Sequence, residues 1–196
     1  MTDQIDRFDK TPSLMPLRRD LLRRLAHAAD ETGSPLRLTS FASVSPDGTP
    51  QVRTLVLRHF DPETMTLRFY TDARSPKVAD LETHPEVQVL MWDPDHKEQV
   101  RITGTAELHI GDELADQLWS TVPEYGRGDY LTRLPPGSPL NDPEEHGQDE
   151  TFGGRNFTVI CVKVSCIDWL KLSAQGHRRA QLRWVGDEVA GEWRTP

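Results

Sequence analysis

The chain has 196 residues, 28% charged and 36% hydrophobic, with a formal net charge of −8. That balance fits a globular chain of one domain over 1–196, with an appended helix, and excludes disordered classes. The acidity argues against nucleic acid as the main partner, and no apolar run approaches the roughly 20 residues that cross a membrane.

Ser13 to Thr32 reads as an amphipathic helix, with Leu14, Leu17, Leu21, Leu25 and Ala28 at helical spacing, Pro16 early and Gly33 as a stop. The period then changes to two. Phe41 to Val44, the turn Ser45-Pro-Asp-Gly48 and Gln51 to His59 predict a hairpin. Asp61 to Thr64 makes a further turn before a strand over Thr66 to Thr71. Ser75 and Pro76 suit the cap and first position of a short helix, Lys77 to His84, which Pro85 closes. Strands follow over Val87 to Trp92 and Gln99 to Ile110, then a helix over Asp112 to Thr121.

Tyr125 to Phe157 is rich in Pro, Gly and acid and has no clear period. Its block 141–150 reads as an exposed loop without chemistry. Strand character returns over Phe157 to Leu172, Gln181 to Val185 and, after the turn at Gly186-Asp187, Val189 to Trp193. Six or seven strands joined mostly as hairpins, with helices at the margins, predict a mainly β fold, an antiparallel barrel or sandwich. The N-terminus lacks the basic and apolar regions of a signal peptide, so the expected compartment is the cytoplasm.

Arg53 and Arg58 lie five apart in a strand predicted to be buried on both sides, and so on opposite faces. A buried arginine needs a partner, which is a ligand phosphate or carbonyl, a buried carboxylate, or water reached by snorkelling. Arg74-Ser75-Pro76-Lys77 places two cations at a helix start, where free N–H groups favour an anion; a capped surface helix is the plain alternative. Arg178, Arg179 and Arg183 sit beside Trp184 on a late strand, as an anion grip or a solvated basic turn. Cys161 and Cys166, also five apart, read as small buried hydrophobes on opposite faces. The histidines have no metal-ligand spacing, and no nucleophile with its base is evident, so a bound cofactor is expected to supply any chemistry.

Four segments in order carry a resemblance. Arg53-Thr-Leu-Val-Leu-Arg58 resembles an R-x-V-L-L-K strand and Phe69-Tyr70-Thr71 an F-Y-T motif. Ser75-Pro-Lys77 with Leu81 and His84-Pro85 resembles an S-R-K…L…N-P helix, and Gln99 to Gly104 a Q-V-R-I-x-G strand. Together they are similar to the pyridoxamine 5′-phosphate oxidase-like, FMN-binding split-barrel family. That resemblance implies a six-stranded antiparallel Greek-key barrel that dimerises, with FMN at the subunit interface and no metal.

Carried over by position, Arg53, Thr54, Leu55, Val56, Arg58, Tyr70, Thr71, Arg74, Ser75, Lys77, Gln99, Trp169 and Arg183 would meet the cofactor, and Arg179 an anionic substrate. Four departures stand out. Pro76 replaces a phosphate-binding arginine, for which Arg74 is the implied substitute, and Arg58 replaces a substrate-binding lysine. Around Leu118 to Arg127 no match is found for the Tyr, Arg and Ser that family members use for pyridoxine phosphate. Arg179-Ala-Gln-Leu-Arg183 lacks the His and Asp of an R-L-H-D-R motif. The implied activity is a flavin-dependent oxidoreductase of an unidentified small molecule, by hydride transfer at flavin N5. Pyridoxine phosphate oxidation and non-catalytic binding of FMN or haem are the alternatives.

Overall fold

From Leu38 onward the alternating pattern folds, among the described residues, into nine strands of one antiparallel sheet. The computed structural model describes residues 13–143, 147–186 and 188–196. The strands are β1 (Leu38–Val44), β2 (Pro50–Val56), β3 (His59–Asp61), β4 (Thr66–Asp72), β5 (Glu86–Asp93), β6 (Glu98–Ile110), β7 (Phe157–Lys171), β8 (Arg178–Val185) and β9 (Glu188–Arg194). The helices are α1 (Met15–Asp30), α2 (Pro76–Thr83), α3 (Glu113–Thr121) and the single turn α4 (Glu124–Arg127). The order along the sheet is β2-β1-β5-β6-β7-β4-β3, with β8 on β7 and β9 on β8.

The predicted mainly β, antiparallel class is found, with nine strands rather than six or seven. One of the additional strands has a local cause. The strand expected over Gln51 to His59 breaks at Leu57, which is fully buried and donates its N–H to the Arg37 carbonyl at 2.8 Å. The Arg58 N–H turns instead to the Arg68 carbonyl at 2.9 Å, so Arg58 leaves the β1–β2 ladder. The expected burial on both faces is also corrected, since Val52 is 71% exposed.

β7 is the spine. One edge pairs with β6 throughout, whereas the other pairs with β4 over Phe157–Lys163 and with β8 over Cys166–Lys171. The changeover coincides with a register shift at Thr103/Gly104 that leaves Ser165 unpaired, a β-bulge. Gly104 is required there, because a Cβ would lie 2.5 Å from the Lys163 carbonyl oxygen. The bulge also corrects the reading of the cysteines. Ile160, Val162 and Val164 face the core before it, and Ile167 and Trp169 after it. Cys161 and Cys166 therefore share the outward face, half-buried and free.

α1 lays Leu21, Leu25, Ala28 and Ala29 against the main core. Asp112 caps α3 by accepting from the Ala115 N–H at 2.9 Å. Between α3 and β7 the chain makes short helical turns and one bridge, Thr132 with Gln148, and is otherwise irregular as expected. Part of the acidic block, residues 144–146, lies outside the described residues, as do Asp187 and the N-terminal segment on which the signal-peptide reading rests. Among the described residues no helix is long and apolar enough to cross a membrane.

Arg24 of α1 fastens the helix to the β5–β6 hairpin. Its guanidinium meets buried Glu98 at 2.5 Å and buried Asp93 at 3.4 Å. Arg24→Ala leaves both carboxylates short of a counter-charge, and the expected cost is about 2–4 kcal/mol after allowing for partial exposure. A urea midpoint that stays where it was would show that this pairing does not hold the helix.

Candidate functional site

Paired residues of neighbouring strands share a face, so the sheet has two distinct chemistries. On the core face Arg53 lies opposite Phe41, which pairs with Val89. On the outward face Thr54 and Val56 of β2 continue into Ser40 and Leu38, then Leu90 and Trp92, then Arg101 and Gln99. From Arg101 that face runs on to Asp168 of β7 and Gln181 of β8.

The core-face group gathers where β4 hands over to α2. Lys77, in the first turn of α2, donates from Nζ to Thr71 Oγ1 at 3.0 Å and to Ser75 Oγ at 2.5 Å. Among the described residues no carboxylate lies within ion-pair distance of Lys77. Burial holds its ammonium below the usual lysine value, Arg53 adds to that effect, and Asp72 and Asp80 oppose it. Arg53 reaches Ser43 Oγ at 2.6 Å through Nη1 and Asp80 Oδ2 at 3.2 Å through Nη2. The Ser43 hydroxyl in turn donates to the same Asp80 oxygen at 2.7 Å. Asp80 and Ser43 were not among the sequence candidates, although Asp80 stands one helical turn beyond Lys77.

The other candidates separate. Leu55 faces the core, whereas Thr54 and Val56 face outward. Tyr70 alternates with Thr71 and turns into a second cluster with Phe157, Trp119 and Tyr130. Arg58 is exposed, its guanidinium 5.6 Å from the Tyr70 ring centre. Arg74 turns away from Lys77: it grips Asp72 through two nitrogens, at 3.0 and 2.7 Å, and reaches the Thr132 carbonyl at 2.9 Å.

Gln99 lies on the outward face of β6, while Trp169 is buried in the core, edge-on to Trp193. Arg183 is outward on β8, donating to Gln181 Oε1 at 3.0 Å beside a cleft of about 400 Å³. Arg179 is held by Asp168 through two bonds, at 2.9 and 2.7 Å, and Arg101 reaches the same carboxylate at 2.8 Å. These hydrogen bonds, led by that of Arg179, hold the Asp168 carboxyl below the usual aspartate value.

The core-face group fits a phosphate ester. A desolvated ammonium bonded only to hydroxyls stands beside a guanidinium with unused N–H groups, at a helix start whose Ser75 makes no side-chain cap bond. Among the described residues no cluster of His, Cys, Asp or Glu could hold a metal.

A family profile described as "Pyridoxamine 5′-phosphate oxidase, FMN-binding domain" matches residues 16–110. The Arabidopsis thaliana pyridoxine/pyridoxamine 5′-phosphate oxidase 2 is 32% identical over 164 residues, covering 76% of this chain and 82% of that protein. The Xanthomonas euvesicatoria pyridoxine/pyridoxamine 5′-phosphate oxidase is 39% identical over 128 residues, 63% of this chain and 56% of that protein. The matches to the enzymes of Microcystis aeruginosa and Rubrobacter xylanophilus span only 38% and 39% of those proteins' length. Among solved structures, a pyridoxamine 5′-phosphate oxidase-related, FMN binding protein of Nostoc punctiforme superposes with a TM-score of 0.75 at 26% identity. That superposition covers 94% of this chain and 99% of that one. PhzG of Burkholderia lata superposes with a TM-score of 0.71 at 17% identity, covering 100% and 99%, and shares the fold.

Arg74 therefore acts as a staple between the end of β4 and the loop near Thr132. Arg74→Ala is expected to raise the rate of limited proteolysis within 132–143 by about fivefold, the effect of losing one net charge-assisted hydrogen bond. An unchanged cleavage rate would show that the loop is held without it.

Proposed function

The chain belongs to the pyridoxamine 5′-phosphate oxidase, FMN-binding family, and from that we propose that it is an FMN-dependent oxidoreductase of a small molecule. The reading extends to a single-domain, cytoplasmic homodimer. One observation carries the cofactor assignment: Lys77, half-buried at the start of α2, is bonded to hydroxyls while Arg53 stands next to it. Lys77 and Arg53 would bind the phosphate of FMN, with Thr71 and Ser75 orienting the ammonium. Bound FMN supplies two-electron redox chemistry that no side chain offers. The protein's part is to hold the phosphate, exclude water and bring cations to the ring.

Gln99 and Arg183 would serve the ring, and their placement supports a dimer. They face away from the side of the sheet that carries Lys77, an arrangement in which a second copy would present them. Leu38, Val52, Leu90 and Trp92 are exposed on that same face, an apolar surface suited to burial between copies.

Pyridoxine 5′-phosphate oxidation is the second reading, favoured by the names of the relatives. Residues 118–127 speak against it. Val122 is buried in the aromatic cluster, and the Arg127 guanidinium lies 5.1 Å from the Trp119 ring and donates to the Val122 carbonyl at 2.9 Å. Arg127 is thereby engaged within the fold, while Tyr125 stands 93% exposed and apart from it.

The purified protein is expected to be yellow, or to take up FMN, with bands near about 370 and 450 nm. Lys77→Ala should weaken FMN by about 1–3 kcal/mol in a fluorescence titration. In the wild type, FMN affinity should fall as pH rises through the lowered Lys77 value, short of the usual lysine range, because phosphate favours the charged amine. That alkaline fall should vanish in Lys77→Ala; a fall of equal size in both proteins would remove Lys77 from the phosphate site. With pyridoxine 5′-phosphate and oxygen, negligible pyridoxal phosphate and peroxide should form, and rapid turnover would favour the second reading.

A further inference from the structure

A carboxylate beside a proposed phosphate site is an electrostatic anomaly. Asp80 is 3% exposed, one helical turn beyond Lys77 on α2, and its charge opposes any bound phosphate. Two explanations are possible. It could be an ion-pair partner that ties α2 to the sheet, or it could set the geometry of the group that meets the phosphate.

The hydrogen bonds point to the second. Asp80 Oδ2 accepts from both Ser43 Oγ, at 2.7 Å, and Arg53 Nη2, at 3.2 Å, and Ser43 Oγ accepts from Arg53 Nη1 at 2.6 Å. Ser43 is itself 3% exposed, so the Arg53 guanidinium is braced at both terminal nitrogens by buried groups from β1 and α2. Its plane is thereby fixed, and its remaining N–H groups are left for a ligand. The arginine is 22% exposed at the side chain, so those groups are not sealed in the core. Asp80 also works with Asp72 to favour the charged form of Lys77 against burial and the neighbouring guanidinium.

Resting on the FMN reading above, we propose that Asp80, directly and through Ser43, is a positioning residue that presents Arg53 to the phosphate of FMN. The residue touches no reacting atom. Its contribution is to remove, before binding, the rotational freedom of a long side chain that would otherwise be lost on binding.

The sign of a single measurement separates this role from simple repulsion. If Asp80 only repels the phosphate, Asp80→Ala tightens FMN binding. If it positions Arg53, the same change weakens FMN by roughly tenfold, the loss of about one charge-assisted hydrogen bond. Riboflavin, which lacks the phosphate, provides the control that a purely structural role cannot pass. Its affinity should not change in Asp80→Ala. Asp80→Asn keeps an acceptor oxygen for the guanidinium and should bind FMN within about threefold of wild type.

Titrations of FMN and riboflavin by quenching of flavin fluorescence give all of these values. An FMN-selective loss in Asp80→Ala, rescued in Asp80→Asn, supports the proposal. Equal losses for both flavins, or tighter FMN binding, overturn it. Should Asp80→Ala fail to fold, Ser43→Ala makes the same comparison, with a roughly threefold loss confined to FMN. Wild-type protein that binds neither flavin overturns the cofactor reading and this inference with it. Normal FMN binding that Asp80→Ala leaves unchanged overturns this inference alone.

Discussion

One strand must serve three neighbours, and the rest of the architecture follows from how it does so. β7 keeps β6 along one edge and changes partner from β4 to β8 along the other. The change is possible because the bulge at Ser165 interrupts the ladder, and the bulge is possible because residue 104 has no side chain. From that point β4 leads to α2 and the core-face cations, while β8 carries Arg179 and Arg183 on the outward face. Arg53 and Lys77 on the one hand and Arg179 and Arg183 on the other, which the resemblance groups around one ligand, thus lie on different sides of the sheet.

Charge compensation decides what each cation can do. Arg24 faces Glu98 and Asp93, Arg53 faces Asp80, Arg74 faces Asp72, and Arg101 and Arg179 share Asp168. Each carboxylate is at most 5% exposed as a residue, and an unpaired buried charge would cost several kcal/mol. Most of the arginines that look available in the sequence are therefore already committed within the fold. Lys77 differs in kind, since its partners are hydroxyls that can rotate to serve a ligand oxygen. An arginine with a carboxylate partner can still meet a ligand through its free edge, as Arg53 is placed to do. An arginine gripped through two nitrogens and a neighbouring carbonyl, like Arg74, has less left to offer.

Local patterns in the sequence predicted the elements well, and long-range partners are where the reading fell short. Alternation from Thr66 and Val87 onward gave β4 and β5 within a residue or two, and Ser75-Pro76 placed the start of α2. The break at Leu57 was invisible because its cause is the Arg37 carbonyl, twenty residues earlier. The faces of Cys161 and Cys166 were misassigned because a strand's period of two holds only until a bulge adds a residue. For Arg53 the sequence allows a ligand, a buried carboxylate or water reached by snorkelling; the fold supplies the carboxylate of Asp80 and leaves the guanidinium partly exposed. Asp80 carried a signal that was readable in principle: an acid at helical spacing from Lys77, on the buried side of a short helix with Val78 and Leu81.

The net charge of −8 acts against an anionic ligand at long range, and its effect on a local site depends on distance. Charges farther away than about 8 Å are largely screened at physiological salt, whereas a partly buried pair at hydrogen-bond range is not. The acidic surface therefore slows the approach of an anion more than it weakens the bound state. At short range the balance is Lys77 and Arg53 against Asp80, with Asp72 occupied by Arg74. One cation remains in excess, too little by itself to hold a dianionic ester in water. On the proposed reading, desolvation would offset the deficit by strengthening each remaining contact, together with a guanidinium oriented before the ligand arrives. Affinity at such a site depends less on how many charges surround it than on how few of them are free to move.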